Sequence, residues 1–128
     1  MQILHSNNAP EAVGPYCQAI VPSKPGVPVF LSGQVGIDPK TNKLVDGLKA
    51  QSFQAFENIK AVLAEAGLTL NDVVYANVLL ANMDDFKEFN SYYAEVFGDH
   101  RPTRAAYEAA GLPLNAEVEI VITAWKTL

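Results

Sequence analysis

The sequence predicts an α+β fold: a mainly antiparallel sheet with two helices packed on one face. Three observations carry that prediction. Apolar residues recur at helical spacing over 52–66 and again over 86–97. Between and after these stretches lie the β-rich apolar runs VVYANVLLA (73–81) and VEIVITA (118–124). Clusters of Gly, Pro, Asn and Asp punctuate the rest of the chain, and no internal repeat of 20–50 residues is present.

Taken in order, residues 2–5 read as a short edge strand and Asn7-Asn8-Ala9-Pro10 as a turn. After Gly14-Pro15, the segment Tyr16–Ile20 reads as extended, and Pro22, Pro25, Gly26 and Pro28 mark a hairpin connection. Residues 29–35 form an apolar strand interrupted by Ser32-Gly33-Gln34, where a glycine signals a bulge or the close approach of another group. Asp38–Asn42 is turn chemistry. The first helix begins at Ser52, with Ala55, Phe56, Ile59, Val62, Leu63 and Ala66 on its buried face and Gly67 as its stop. Residues 73–81 are apolar on both alternations, so this strand is expected to be covered on both sides, by a helix on one and a neighbouring subunit on the other. Asp84 or Asp85 caps a second helix whose inner stripe is Phe86, Phe89, Tyr93 and Phe97, with Asn90 on the same stripe and Gly98 at its end.

Composition narrows the functional classes. At 128 residues the chain suits one compact domain, 1–128, with one core. Nine basic against 14 acidic residues give a net charge of −5, so no general attraction to nucleic acid or anionic membrane surfaces is expected. The single cysteine, Cys17, cannot form an internal disulfide, and no Cys/His cluster with metal spacing occurs, so no metal is expected. No signal-peptide pattern opens the sequence and no apolar run approaches the roughly 20 residues of a membrane span, which makes the cytoplasm the expected location.

The stretch His100–Trp125 carries the chemistry. Arg104 follows Pro102 by two positions in a strand-like run of small apolar residues, where a guanidinium without an anionic partner is costly. Glu119 lies in the most strand-like segment of the chain, with Val118, Ile120 and Ile122 on the opposite face. Two strands bearing one charge each could build a pocket for a carboxylate.

With those residues in view, the ordered motifs Gly14-Pro15-Tyr16, Ser32-Gly33-Gln34, Asn90, Pro102-Thr103-Arg104-Ala105, Leu112-Pro113 and Glu119 resemble the signature of the Rid (YjgF-type) family, and more particularly its RidA subfamily of reactive intermediate imine deaminases. The resemblance spans about residues 9–124. It implies a chorismate-mutase-like fold and a homotrimer with pockets at subunit interfaces. It also implies cofactor-free hydrolysis of 2-imino acids such as 2-iminobutanoate and 2-iminopropanoate, or their enamine tautomers, to 2-oxo acids and ammonia. On that frame Arg104 grips the substrate carboxylate, Glu119 holds and activates water, and Tyr16 lines the pocket or relays protons. Ser32, the backbone N–H of Gly33, the backbone carbonyl of Ala106 and Asn90 complete the polar shell.

The chain departs from the family pattern at two places. Ala106 stands where many members have cysteine, so no thiol there is essential. The family's Glu-x-Glu in the last strand is here Glu119-Ile120-Val121 preceded by Glu117, and a slip of two residues would move the water-holding role to Glu117. Plainer readings stand beside these: Arg104 in a structural ion pair with Glu108 or across an interface, Glu119 as a solvated strand position, Tyr16 as a packed aromatic, Asn90 as a stabiliser of the helix or trimer, and Cys17 as a small buried hydrophobe. His5 and His100 lack the companions of a catalytic triad. A non-catalytic trimeric module that binds small carboxylates and regulates a partner protein is the alternative function. RNA cleavage, an activity historically attached to the family, fits poorly with the acidic balance.

Overall fold

The structure is a computed structural model describing residues 1–128. Its elements are β1 (Gln2–Leu4), β2 (Ala19–Val21), β3 (Gly26–Phe30), β4 (Ile37–Asp38), β5 (Lys43–Leu44), α1 (Leu48–Glu65), β6 (Val73–Leu80), α2 (Phe86–Phe97), β7 (Thr103–Glu108) and β8 (Val118–Thr127). The main sheet has the order β3-β8-β6-β7, and β1-β2 and β4-β5 form separate two-stranded ribbons. The pairs β3–β8 and β8–β6 are antiparallel, whereas β6–β7 is parallel. The parallel pair follows from α2, which carries the chain back across the sheet between β6 and β7.

Strand alternation divides the sheet cleanly. Register pairs place Arg104, Ala76 and Ile122 in one row, Ala106, Val78 and Ile120 in the next, and Glu108, Leu80 and Val118 in a third. These rows face the helices: Ala76, Val78, Leu80, Val118, Ile120 and Ile122 join Phe56, Ile59, Leu63, Phe89, Tyr93 and Phe97 in one core cluster. Aromatic rings tie the two helices together, with Phe56 5.6 Å from Phe97 and 5.9 Å from Tyr93 between centroids. Such pairs add about 0.5–1.5 kcal/mol each beyond their burial.

The opposite face carries Thr103, Ala105, Tyr107, Tyr75, Asn77, Leu79, Glu119, Val121, Thr123 and Phe30, and no helix covers it. Phe30 is 76% exposed there, Tyr107 44% and Tyr75 38%. The helix cover expected for residues 73–81 is thus present, and within one chain their other face is open.

Several sequence expectations need correction. The prolines around 22–28 do not join a hairpin, because β2 pairs with β1 and β3 with β8. Pro28 lies inside β3, an edge strand where a missing N–H costs no ladder bond. The strand expected over 29–35 stops at Phe30, and pairing resumes only as an isolated bridge between Gln34 and Ile120. α1 starts at Leu48, four positions before Ser52. Neither Asp84 nor Asp85 caps α2 with its side chain; the Asn82 side chain instead accepts from the Asp84 N–H in the 3-10 turn that leads into the helix. Both helices end just before the predicted glycines, Gly67 and Gly98.

Candidate active site

Arg104 occupies β7, at the open edge of the sheet, and projects on the helix side. A charged side chain is tolerated there because the row ends at that edge, where the second helix and the Gly14–Tyr16 segment enclose it. Arg104 Nη1 donates to Asn90 Oδ1 at 2.7 Å. The guanidinium carbon lies 4.8 Å from the ring centroid of Tyr93 and 5.4 Å from those of Tyr16 and Phe86. A Cβ built on Gly14 would stand 3.3 Å from Arg104 Nη2, so the absence of a side chain at Gly14 lets the backbone approach the cation.

No carboxylate pairs with Arg104; the structure's one side-chain ion pair joins Lys60 and Glu57. The expected alternative partner, Glu108, accepts from the Met83 N–H instead. Burial pulls the guanidinium below its ordinary range, and the Tyr93 and Tyr16 hydroxyl groups oppose that shift. A half-buried cation facing three rings, with one amide carbonyl as its hydrogen-bond partner, keeps N–H donors that no carboxylate of the chain occupies.

Glu119 lies elsewhere. It pairs with Leu79 and, through it, shares a row with Tyr107 on the open face. A Cβ on Gly33 would fall 2.9 Å from the Glu119 carboxyl carbon and Oε2, so Gly33 is packed directly on this carboxylate. Ser32 and Gly33 are exposed. The contact singles out Glu119 over Glu117 as the acid beside Gly33, since Glu117 uses its N–H on Gln51 Oε1 at 2.8 Å and leaves Oε2 buried without a partner.

The sequence-predicted residues therefore fall into two groups. Arg104, Asn90 and Tyr16 come together, and Ala106 follows two residues along on the same face. Gly33 and Glu119 come together on the other face. Within one chain, β7 and β8 do not build the expected carboxylate pocket around Arg104 and Glu119, because strand alternation puts the two side chains on opposite sides of the sheet. Tyr16 accepts from the Val13 N–H at 3.4 Å and keeps its ring against the cation. Cys17 is partly buried, and burial pushes its thiol up, in keeping with an unreactive side chain. His100 Nε2 lies 2.7 Å from the Val73 carbonyl oxygen, a structural contact.

Sequence reasoning did not single out Phe86, Tyr93 or Gly14 as walls of the cation site. A signal was available. Asn90 lies four residues after Phe86 and three before Tyr93, so all three share one helix stripe, and whatever Asn90 touches should also meet the two rings.

Fold and site together define a small α+β protein with a partly buried arginine, unpaired by any carboxylate, at a sheet edge. A family model described as Endoribonuclease L-PSP matches residues 6–126. The chain belongs to this family, the Rid (YjgF-type) proteins. It is 45% identical over 126 residues to a RutC family protein of Pyrococcus horikoshii, covering 98% of each chain. It is 40% identical to the 2-iminobutanoate/2-iminopropanoate deaminase of mouse, covering 93% of this chain and 87% of that one. The crystal structure of RidA from the Antarctic bacterium Psychrobacter superposes with a TM-score of 0.76 at 43% identity, covering 98% of this chain and 100% of the other. No helix is long and apolar enough to cross a membrane.

Proposed function

We propose that this chain is a cofactor-free deaminase that hydrolyses 2-imino acids, such as 2-iminobutanoate and 2-iminopropanoate, or their enamine tautomers, to 2-oxo acids and ammonia. The observation that carries the reading is the unpaired Arg104 guanidinium. Its Nη1 is held by Asn90, which leaves other N–H donors for a bidentate grip on a carboxylate next to the reacting C=N carbon. Relatives named as deaminases at about 40% identity support the substrate class.

The acid and the anchor act together if copies of the chain meet. A homotrimer, with the open face of each sheet covered by its neighbours, would set Glu119 and Gly33 of one copy against Arg104 of the next. The apolar residues on that face and the unpaired edge of β7 favour such an assembly. Glu119 then holds a water against the imine carbon. Water adds to that carbon, a proton passes to the nitrogen, and the C–N bond breaks to release ammonia and leave the carbonyl. An imine is intrinsically labile, so orientation and modest proton transfer suffice.

Coupling the protein to an amino-acid dehydratase in the presence of semicarbazide tests this. Faster 2-oxobutanoate release and less semicarbazone are expected, whereas identical yields with and without the protein would count against turnover. One observation favours a second reading, a carboxylate-binding module that regulates a partner protein: the Arg104 cluster is complete in one chain without Glu119. In that case Glu119→Gln leaves 2-oxo-acid binding and biological effect intact.

A further inference from the structure

We propose that Tyr93 is the positioning residue of the Arg104 cation, its ring face holding the guanidinium and its buried hydroxyl reserved for an oxygen atom that arrives with the bound acid. The inference rests on the reading of Arg104 as a carboxylate anchor.

Three observations carry it. Along the α2 stripe of Phe86, Phe89, Tyr93 and Phe97, only position 93 bears a hydroxyl, and its ring is the nearest of the three to the Arg104 guanidinium carbon. Packing against Phe56, Phe89 and Phe97 requires a ring and nothing more. Second, the hydroxyl is enclosed and no group of the chain hydrogen-bonds it. A buried hydroxyl without a partner is destabilising, so phenylalanine would be the more stable residue here unless the hydroxyl is used.

Third, the groups whose charges reach the hydroxyl are Arg104, Arg101 and the thiol of Cys17. Cys17 and Arg101 line, together with Tyr16, a cavity of about 400 Å³ between the N-terminal ribbon and the loop after α2. The cavity wall at Cys17 and Arg101 is thus the side from which a ligand or water oxygen would reach the hydroxyl, which the free chain keeps enclosed. Burial holds this phenol above its ordinary range, and the two arginines oppose the shift without reversing it. Tyr93 therefore stays protonated and serves as a donor, which suits positioning and not proton transfer.

The test compares wild type with Tyr93→Phe and Tyr93→Leu by urea unfolding, by the shift of the Arg104 Nε–H resonance on titration with 2-oxobutanoate, and by KM and kcat on the imine. Tyr93→Phe should unfold at a higher urea concentration yet bind 2-oxobutanoate about tenfold more weakly, with KM raised and kcat little changed. Tyr93→Leu should weaken binding further by removing the ring face; if it fails to fold, Tyr93→Phe decides alone. Wild-type affinity in Tyr93→Phe, or a loss of stability there, overturns the proposal. Because binding is read at Arg104 without turnover, an inactive wild type that still shows the tenfold loss sinks the deaminase reading and leaves the role of Tyr93 standing.

Discussion

The two faces of the central sheet treat their charges differently. On the helix side, Arg104 is enclosed by side chains from α2 and the Gly14–Tyr16 segment, and its orientation is set within one chain by Asn90 and three rings. On the open side, Glu119 has Gly33 beneath it and shares its row with the uncovered Tyr107. One charge is pre-organised; the other awaits a surface to work against. Under the proposed function, the contrast gives acid binding and water activation to separable parts, and an isolated chain is expected to hold acids without hydrolysing imines.

The largest effect tests the anchor. Arg104→Ala should lower kcat/KM on the order of 1000-fold, about 4 kcal/mol of transition-state binding, because no other group takes the carboxylate. Unfolding free energy should change by less than about 1 kcal/mol, since no buried carboxylate is left without its partner. A stability loss of about 3–5 kcal/mol would instead mark Arg104 as half of a structural ion pair. Glu119→Gln should cost on the order of 100-fold in kcat with 2-oxobutanoate binding retained. Refolding the two inactive variants together sharpens the comparison. If each pocket takes its arginine from one copy and its acid from the next, random mixing restores about a quarter of the wild-type pockets. No recovery would confine both charges to one chain.

How much of this was legible in the sequence depended on what each segment buries. β6 and β8 stand out because their apolar alternation is strong and faces a core, and the α2 stripe is read from Phe86 to Phe97 at helical spacing. The first turn of α1 was hidden by Gln51 and Ser52, which are buried although polar; Gln51 is used on the Glu117 N–H. The Gly47 cap makes no side-chain bond that a sequence could advertise. β3 was misplaced because Pro28 reads as a breaker, and only its position at a sheet edge excuses it. At the site, residue types pointed to Arg104 and Glu119, and the family resemblance added Asn90 and Tyr16. Their division between two faces follows from which strands pair, a long-range fact that no local pattern carries.

The smallest expected effect is the most local. A methyl at Gly33 would enter the space of the Glu119 carboxyl group, 2.9 Å from its carbon and Oε2, and the carboxylate would have to swing aside. Gly33 is exposed and does not stand in the left-handed region, so Gly33→Ala should leave the melting temperature unchanged. Activity should fall about tenfold through a misplaced water-holding group, with KM little altered because Arg104 is untouched on the other face. The cause can be isolated with a double variant. If Gly33 acts only by giving Glu119 its place, Gly33→Ala should cost almost nothing in a Glu119→Gln background, where the acid is already lost. A full tenfold loss in that background would mean that the Gly33 backbone itself touches the substrate, and the open face would then contribute to binding as well as to water activation.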